Sequence, residues 1–283
     1  MPELLAPAGN FISLRAVLEN GADAVYFGLD EYNMRANARN FSLDDLAKIS
    51  KIASDYNAKT YLCTNIILKE SQNDAVFNTS DVLDESFVIS HSFDDSYRTN
   101  FFSPKDMCMI EHIPELIKTG VSSFKIEGRA RSPDYGAMVT GIYREAIDSY
   151  LNDPDDYKVN PQWMEELKSV FNRGFDTGFY FDTPFETSET NQSKYIKKDI
   201  GQVVNFYNKV SVAELRVWDD LKIGDKIMIQ GETTGSVTHI IESMQVDGAD
   251  VNHVSKNSNV GVLMPSKVRK NDFVYKLVER SQQ

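Results

Sequence analysis

A chain of 283 residues, 41% hydrophobic and 25% charged, has the composition of a globular protein large enough for two hydrophobic cores. No apolar run approaches a membrane span, and the N-terminus lacks the basic-then-apolar order of a secretory signal, so no membrane association and residence in the cytoplasm are expected. The net charge of −12 is uneven: from Tyr195 onward 12 basic residues face 11 acidic ones, which leaves −13 on residues 1–194 and repels phosphate backbones from that part.

In chain order, Glu3 to Gly9 reads as a buried strand running into a turn, and Asn10 caps a helix from Phe11 to Asn20 that stops at Gly21. Ala24 to Leu29 is a second strand, apolar on both faces as in a parallel sheet. A polar loop containing Arg35 follows, then a helix from Leu43 to Tyr56 capped by Ser42, then a third strand from Lys59 to Asn65. Three βα units within seventy residues predict a parallel α/β fold, in which the loops after the strands carry the site.

From Lys69 to Arg98 the pattern fails. This stretch carries Asp74, Asp81, Asp84, Glu85, Asp94 and Asp95 and reads as an acidic connection; His91 stands alone in it. Ser103 and Pro104 then open a predicted helix that runs to Gly120. Next comes Val121 to Arg129, read as a strand with Lys125, Glu127 and Arg129 at two-residue spacing on one face. Such a strand end presents catalytic side chains in α/β enzymes, and the same residues equally well pair with neighbours to hold the sheet. A helix from Tyr135 to Leu151 and another from Pro161 to Phe171 follow.

Cys63 and Cys108 are the two cysteines. Both lie in apolar patterns and are expected buried and reduced; two thiols alone make neither a structural zinc site nor an iron–sulfur cluster. A polar linker, Thr183 to Ser193, marks a domain boundary. Beyond it, short alternating runs at Ile200–Val204, Lys226–Ile229, Ser236–Ile240 and Phe273–Leu277, with turns at Gly224, Gly235 and Gly248, predict a small antiparallel β-barrel. Lys194, Lys197 and Lys198, with Lys267, Arg269 and Lys270, offer a local basic surface there, or plain solvated charge.

Pro2 to Arg35, Phe102-Ser-Pro-Lys-Asp106 through Lys125-Ile-Glu-Gly-Arg129, Ser132-Pro133-Asp134-Tyr135 and Asn172-Arg-Gly-Phe-Asp-Thr-Gly-Phe179 together resemble the collagenase-like peptidases of family U32. The C-terminal part resembles that family's small barrel, similar to the second domain of translation factors. The resemblance implies an α/β domain of TIM-barrel type over residues 1–190, a β-barrel over 195–283, and peptidase activity. Some family members resemble enzymes that hydroxylate tRNA or ribosomal RNA pyrimidines, and RNA contact through the C-terminal barrel is the corresponding expectation. A non-catalytic ligand- or RNA-binding scaffold is the third class.

Full-length relatives continue from the third strand through further βα units and a cysteine-containing segment. Here residues 69–98 stand in their place, so no iron–sulfur cofactor is expected and the barrel is incomplete, its open edge calling for the acidic segment, the C-terminal barrel or a second subunit to cover it.

The catalytic candidates are Lys125, Glu127, Arg129 and Asn65, and the substrate-binding candidates are Arg35, Tyr26, Asp106 and Arg173, with no metal site. Arginine forks and a lysine charge suit a small anionic ligand or a peptide carboxylate, and Glu127 accepts a hydroxyl. No Ser-His-Asp grouping and no HExxH accompany them; His91, His112, His239 and His253 are scattered.

Overall fold

The computed structural model describes residues 1–30, 40–63, 105–181 and 191–280. Arg35, Asn65, His91 and the acidic connection at 69–98 lie outside the described residues.

Strand β1 (Glu3–Pro7) leads into helix α1 (Phe11–Glu19), whose first turn is closed by Asn10: its side-chain oxygen accepts from the Ser13 amide at 2.8 Å. Gly21, at φ +87°, lets the chain turn sharply out of the helix. Strand β2 (Ala24–Phe27) is buried at all four positions. A reciprocal Ser42–Asp45 cap precedes helix α2 (Leu46–Asp55), and strand β3 (Lys59–Leu62) follows it.

Past the undescribed middle come a short strand β4 (Asp106–Met107), helix α3 (Ile113–Lys118), strand β5 (Ser123–Lys125) and the long helix α4 (Pro133–Asn152). Helix α5 (Pro161–Leu167) and strand β6 (Phe175–Asp176) complete this part. Four strands form one parallel sheet in the order β3-β2-β1-β5.

The pleat sorts the side chains of this sheet. Leu4 of β1 packs in one apolar cluster with residues of α3, α4 and α5, while Ala6 of β1 and Val25 of β2 pack in another with α1 and α2. On the opposite face Glu3 gathers Lys59 Nζ at 2.8 Å, the Tyr61 hydroxyl at 3.3 Å and the Ser123 hydroxyl at 3.3 Å. One face is therefore a helix-covered core, and the other carries this polar cluster next to the buried Ala24 and Tyr26 of β2.

Two expectations are corrected. The helix predicted from Ser103 does not run from there to Gly120: Asp106–Met107 is a strand, paired in parallel with Phe175–Asp176, and α3 begins at Ile113. Pro114 is the reason, since a residue without an N–H is accommodated in a helix's first turn but breaks its interior. The predicted strand Val121–Arg129 shrinks to Ser123–Lys125; the Ile126 amide makes the last bond, to the Leu5 carbonyl at 2.9 Å, and the chain then turns at Gly128.

The C-terminal part is antiparallel. Its strands are β7 (Tyr195–Tyr207), β8 (Val212–Val217), β9 (Leu221–Lys222), β10 (Lys226–Gly231), β11 (Gly235–Ile240), β12 (Met244–Val246), β13 (Ala249–Asp250), β14 (His253–Val254), β15 (Ser258–Leu263) and β16 (Phe273–Glu279). Eight of them hydrogen-bond in the order β11-β10-β16-β7-β8-β15-β12-β13, and β14 pairs with β9. The predicted turn glycines 224, 235 and 248 all have positive φ, the conformation glycine adopts without cost. Ile200, Leu215, Leu221, Ile227 and Ile229 are fully buried in a core separate from those of the parallel sheet.

The protein is thus a mixed α/β chain, a parallel sheet followed by a separate antiparallel one. The two meet where β11 lies against α1 and α4. Lys197 Nζ reaches Asp134 Oδ1 at 2.7 Å, and the Gln230 amide donates to the same oxygen at 3.3 Å. Among the described residues no helix is long and apolar enough to cross a membrane.

Candidate functional site

A cavity of about 790 Å³ opens along β5 and the turn that follows it. Lys125, Glu127 and Arg131 line it from one side, Asp106, Cys108 and Arg173 from another, and Tyr135 and Tyr143 from helix α4.

Glu127 is anchored by a tyrosine from another strand of the sheet. The Tyr26 hydroxyl, from the end of β2, lies 2.9 Å from the Ile126 carbonyl and 3.1 Å from Glu127 Oε2, and shares its proton between them. Burial, then the Glu127 charge, pushes the Tyr26 phenol far above its ordinary value, so it remains a donor at any physiological pH. Lys125 Nζ sits 4.7 Å above the Tyr26 ring, a cation–π contact that keeps an ammonium next to this carboxylate.

The Tyr135 hydroxyl donates to the Glu127 carbonyl at 3.1 Å, and burial with the nearby Asp106 charge raises its pKa to about 12. Gly128 makes this approach possible: a Cβ there would stand 2.6 Å from Tyr135 Cε1. Arg131 stacks on Phe171 at 3.6 Å, which fixes a guanidinium at the cavity wall.

Asp106 and Arg173 hold each other. Arg173 Nε and Nη2 donate to Asp106 Oδ1 at 3.0 and 2.7 Å, and the Arg173 amide donates to Oδ2 at 2.9 Å. The pair clamps β4 to β6, so this carboxylate is largely committed to structure. The Cys108 thiol is held up in pKa by burial, with the Tyr143 hydroxyl 3.9 Å away; it stays protonated and is a weak nucleophile. Cys63 and Cys108, expected buried, are both half-buried and unpaired.

Of the residues singled out from sequence, the structure brings together Lys125, Glu127, Tyr26, Asp106 and Arg173. Arg129 is different. It is 5% exposed and does not line the cavity, because the strand ends four residues before it and the turn at Gly128 sends it inward. Arg131 takes the cationic place assigned to it. Arg131, Tyr135, Tyr143 and Cys108 escaped the sequence reading, since two come from a helix and two from flanking loops rather than from the strand end. Ser132-Pro133-Asp134-Tyr135 was the signal that placed Tyr135 within reach. His112 stacks on Phe181 at a centroid distance of 4.2 Å and takes no part in the cavity. Among the described residues no three His, Cys, Asp or Glu side chains come together as a metal-ligand group.

Peptidase family U32 matches this sequence over residues 9–89 and 88–190, well over half of the chain. The chain belongs to that family. An uncharacterised protease of Methanocaldococcus jannaschii is 35% identical, with 99% of each chain covered. A collagenase of Porphyromonas gingivalis is 25% identical, again with 99% of each covered. A tRNA hydroxylation protein P1 of Bacillus subtilis is 26% identical over 86% of each chain. The alignment with the archaeal protein runs over 405 positions while this U32 member has 283 residues, so at least 122 of them (405 − 283) have no counterpart here. The two family matches abut at residues 88–89, inside the acidic connection read from the sequence.

Proposed function

We propose that this U32 member is a hydrolase of the collagenase-like type that acts on a peptide bond in the cavity along β5. The observation that carries the reading is Glu127, a carboxylate anchored by the Tyr26 hydroxyl at 3.1 Å beside the Lys125 and Arg131 cations. Glu127 takes a proton from water, the resulting hydroxide adds to the carbonyl carbon, and Lys125 or Arg131 faces the oxyanion that forms. The same proton then passes to the leaving amine. The two cations also suit the carboxylate of a small anionic ligand or a peptide end. Arg35 and Asn65 complete the binding and catalytic set in this proposal, whereas Arg129 serves the turn.

The test is cleavage of fluorogenic gelatin and short collagen-like peptides. General-base catalysis contributes roughly a hundredfold or more, so Glu127→Gln lowers kcat by at least about that factor with the fold intact. Equal rates for the two proteins overturn the reading.

A second reading follows from one further observation. Phe179, Tyr180 and Phe181 are 80%, 66% and 55% exposed, and Tyr180 lines the cavity, an aromatic run on which an unstacked base can lie. With the Bacillus subtilis relative in view, this supports action on tRNA pyrimidines, with RNA also meeting the C-terminal strands. Loss of hydroxylated pyrimidines from the tRNA of a strain deleted for the gene, read by mass spectrometry, supports it; unchanged nucleosides remove it. A single chain carries two cysteines, short of the four thiolates one cluster takes, and neither reading routes a step through an iron–sulfur cluster.

The finer architecture belongs to the same proposal. Residues 1–190 form an incomplete TIM-barrel-like domain, residues 195–283 a small β-barrel similar to the second domain of translation factors, and the protein works in the cytoplasm as a homo-oligomer.

A further inference from the structure

We infer that two copies of this chain close one eight-stranded parallel barrel, β3 of each copy pairing with β5 of the other about a twofold axis along the barrel. The inference rests on the reading of the parallel sheet as part of a βα barrel and names the partner that completes it.

Among the described residues the sheet has four strands, all parallel, and its edges are β3 and β5. In a closed ring of parallel strands every strand has two neighbours, and the first pairs with the last. Here β1 already lies between β2 and β5, a sequence-distant strand, as in a ring from which a contiguous arc has been removed. A twofold axis parallel to the strands sets β3 beside the partner copy's β5 with the same polarity and brings the strand number to eight. An antiparallel seam would not continue the sheet's pattern.

This chain cannot close the ring by itself. Forty-one residues, 64–104, separate the described ends, whereas four further βα units at roughly 30 residues each need about 120. The archaeal relative has the difference: its alignment holds at least 122 positions that this chain lacks. What that relative carries within one chain, a second copy supplies here.

Both edges are dressed for burial against a neighbour. All four residues of β3 are exposed, with Tyr61 at 42% and Leu62 at 43%, and Val121 at 46% lies next to β5. The antiparallel sheet docks on α1 and α4, behind the middle of the parallel sheet, and among the described elements its contacts are with these helices rather than with β3 or β5. Closure also joins two sets of Tyr26, Lys125 and Glu127 at the same end of one ring.

Edge-strand chemistry provides the test. Toward β1, β5 uses the Ser122 carbonyl and the Ile126 amide, so the Ser123 N–H points to the open edge. Toward β2, β3 uses the Lys59 and Cys63 amides, so the Leu62 N–H points outward as well. Ser123→Pro and Leu62→Pro therefore remove a donor from the seam and spare the bonds within one copy. Light scattering on the full chain across a concentration series is expected to give twice 32.0 kDa, and each proline variant 32.0 kDa with unchanged circular dichroism. Hydrogen exchange on the same samples is expected to show β3 and β5 amides protected in the wild type and released in the variants. A wild type at 32.0 kDa with unprotected edge amides overturns the inference and leaves the half-barrel reading standing. The same mass with both edges protected means the chain covers its own edges, which overturns both. A dimer indifferent to both prolines pairs through another face and overturns the inference alone.

Discussion

The Tyr26 hydroxyl and the Glu127 carboxylate, 101 positions apart in sequence, stand 3.1 Å from each other and join the end of β2 to the turn after β5. Because the Tyr26 phenol is pushed far upward by burial and by the Glu127 charge, it cannot share that charge by ionising. The hydroxyl therefore acts as a neutral donor, shared between the carboxylate and the Ile126 carbonyl. Tyr26→Phe removes the hydroxyl that the Ile126 carbonyl and Glu127 share, a loss of about 1 to 2 kcal/mol of stability for a buried hydrogen bond. Urea unfolding at pH 7 reads that loss, and peptide cleavage in the same variant is expected to fall with kcat rather than KM, because Glu127 loses orientation and the cations remain. A variant as stable as the wild type contradicts the bond's energetic role.

Arg173 makes a different kind of contact. Its guanidinium donates twice to Asp106 Oδ1 while its own amide holds Oδ2, a geometry an ammonium cannot reproduce. Arg173→Lys keeps the charge and loses the fork, so the β4–β6 pair loosens and thermal stability falls by about 1.5 to 3 kcal/mol. Asp106→Asn is expected to cost a similar amount. If Arg173→Lys melts with the wild type, the pair is an ordinary surface ion pair and the clamp is not needed.

The elements most legible in the sequence were those governed by local signals. Asn10 and Ser42 announced their helices, Gly21 and Gly120 ended theirs, and glycines 224, 235 and 248 fell on the turns. The parallel pattern of β1, β2 and β3 was readable because β2 is buried on both faces. What escaped were features set by distant partners. Asp106–Met107 is a strand only because Phe175–Asp176 lies beside it, and no local periodicity encodes a two-residue ladder. Arg129 was expected beside Lys125 and Glu127 because period-two spacing extends a strand indefinitely on paper; the strand ends at Lys125, and the chain passes the Tyr135 ring at Gly128, where a Cβ has no room. The basic cluster shows the same limit: Lys194, Lys197 and Lys198 are each paired with a carboxylate, Glu279, Asp134 and Asp219, which only the fold brings near.

The seam between the two sheets rests on a glycine. Gly235 has φ +70°, and a Cβ there would stand 2.8 Å from Glu19 Oε2 and 3.2 Å from the Ala16 amide nitrogen of α1. Helix backbone cannot give way as a side chain tip does. Gly235→Ala therefore carries both a backbone strain of about 1 kcal/mol or more and an overpacking cost of the same order. The expected result is a clearly lower melting temperature, while Gly248→Ala, whose Cβ meets nothing within 4 Å, shows the backbone strain alone. Equal effects from the two substitutions would place no packing demand on the α1–β11 contact.

Acid stability offers a check on the antiparallel sheet. Asp272 is 5% exposed, and its carboxyl accepts from the Thr234 hydroxyl and from the Arg269 amide at 2.7 Å. Burial outweighs these bonds and raises its pKa above 3.8. The folded state thus binds this proton more tightly than the unfolded chain does. Stability contributed by Asp272 is lowest and constant above its raised pKa, grows as the pH falls through that pKa, and levels off near the unfolded value of 3.8. Asp272→Asn, which has no proton to gain, removes that gain. Denaturant midpoints of the two proteins followed from pH 7 down to pH 4 are expected to diverge in favour of the wild type as the solution becomes more acidic. Parallel curves would mean that the bonds from Thr234 and Arg269 cancel the cost of burial, and that the carboxylate is at home in its charged form.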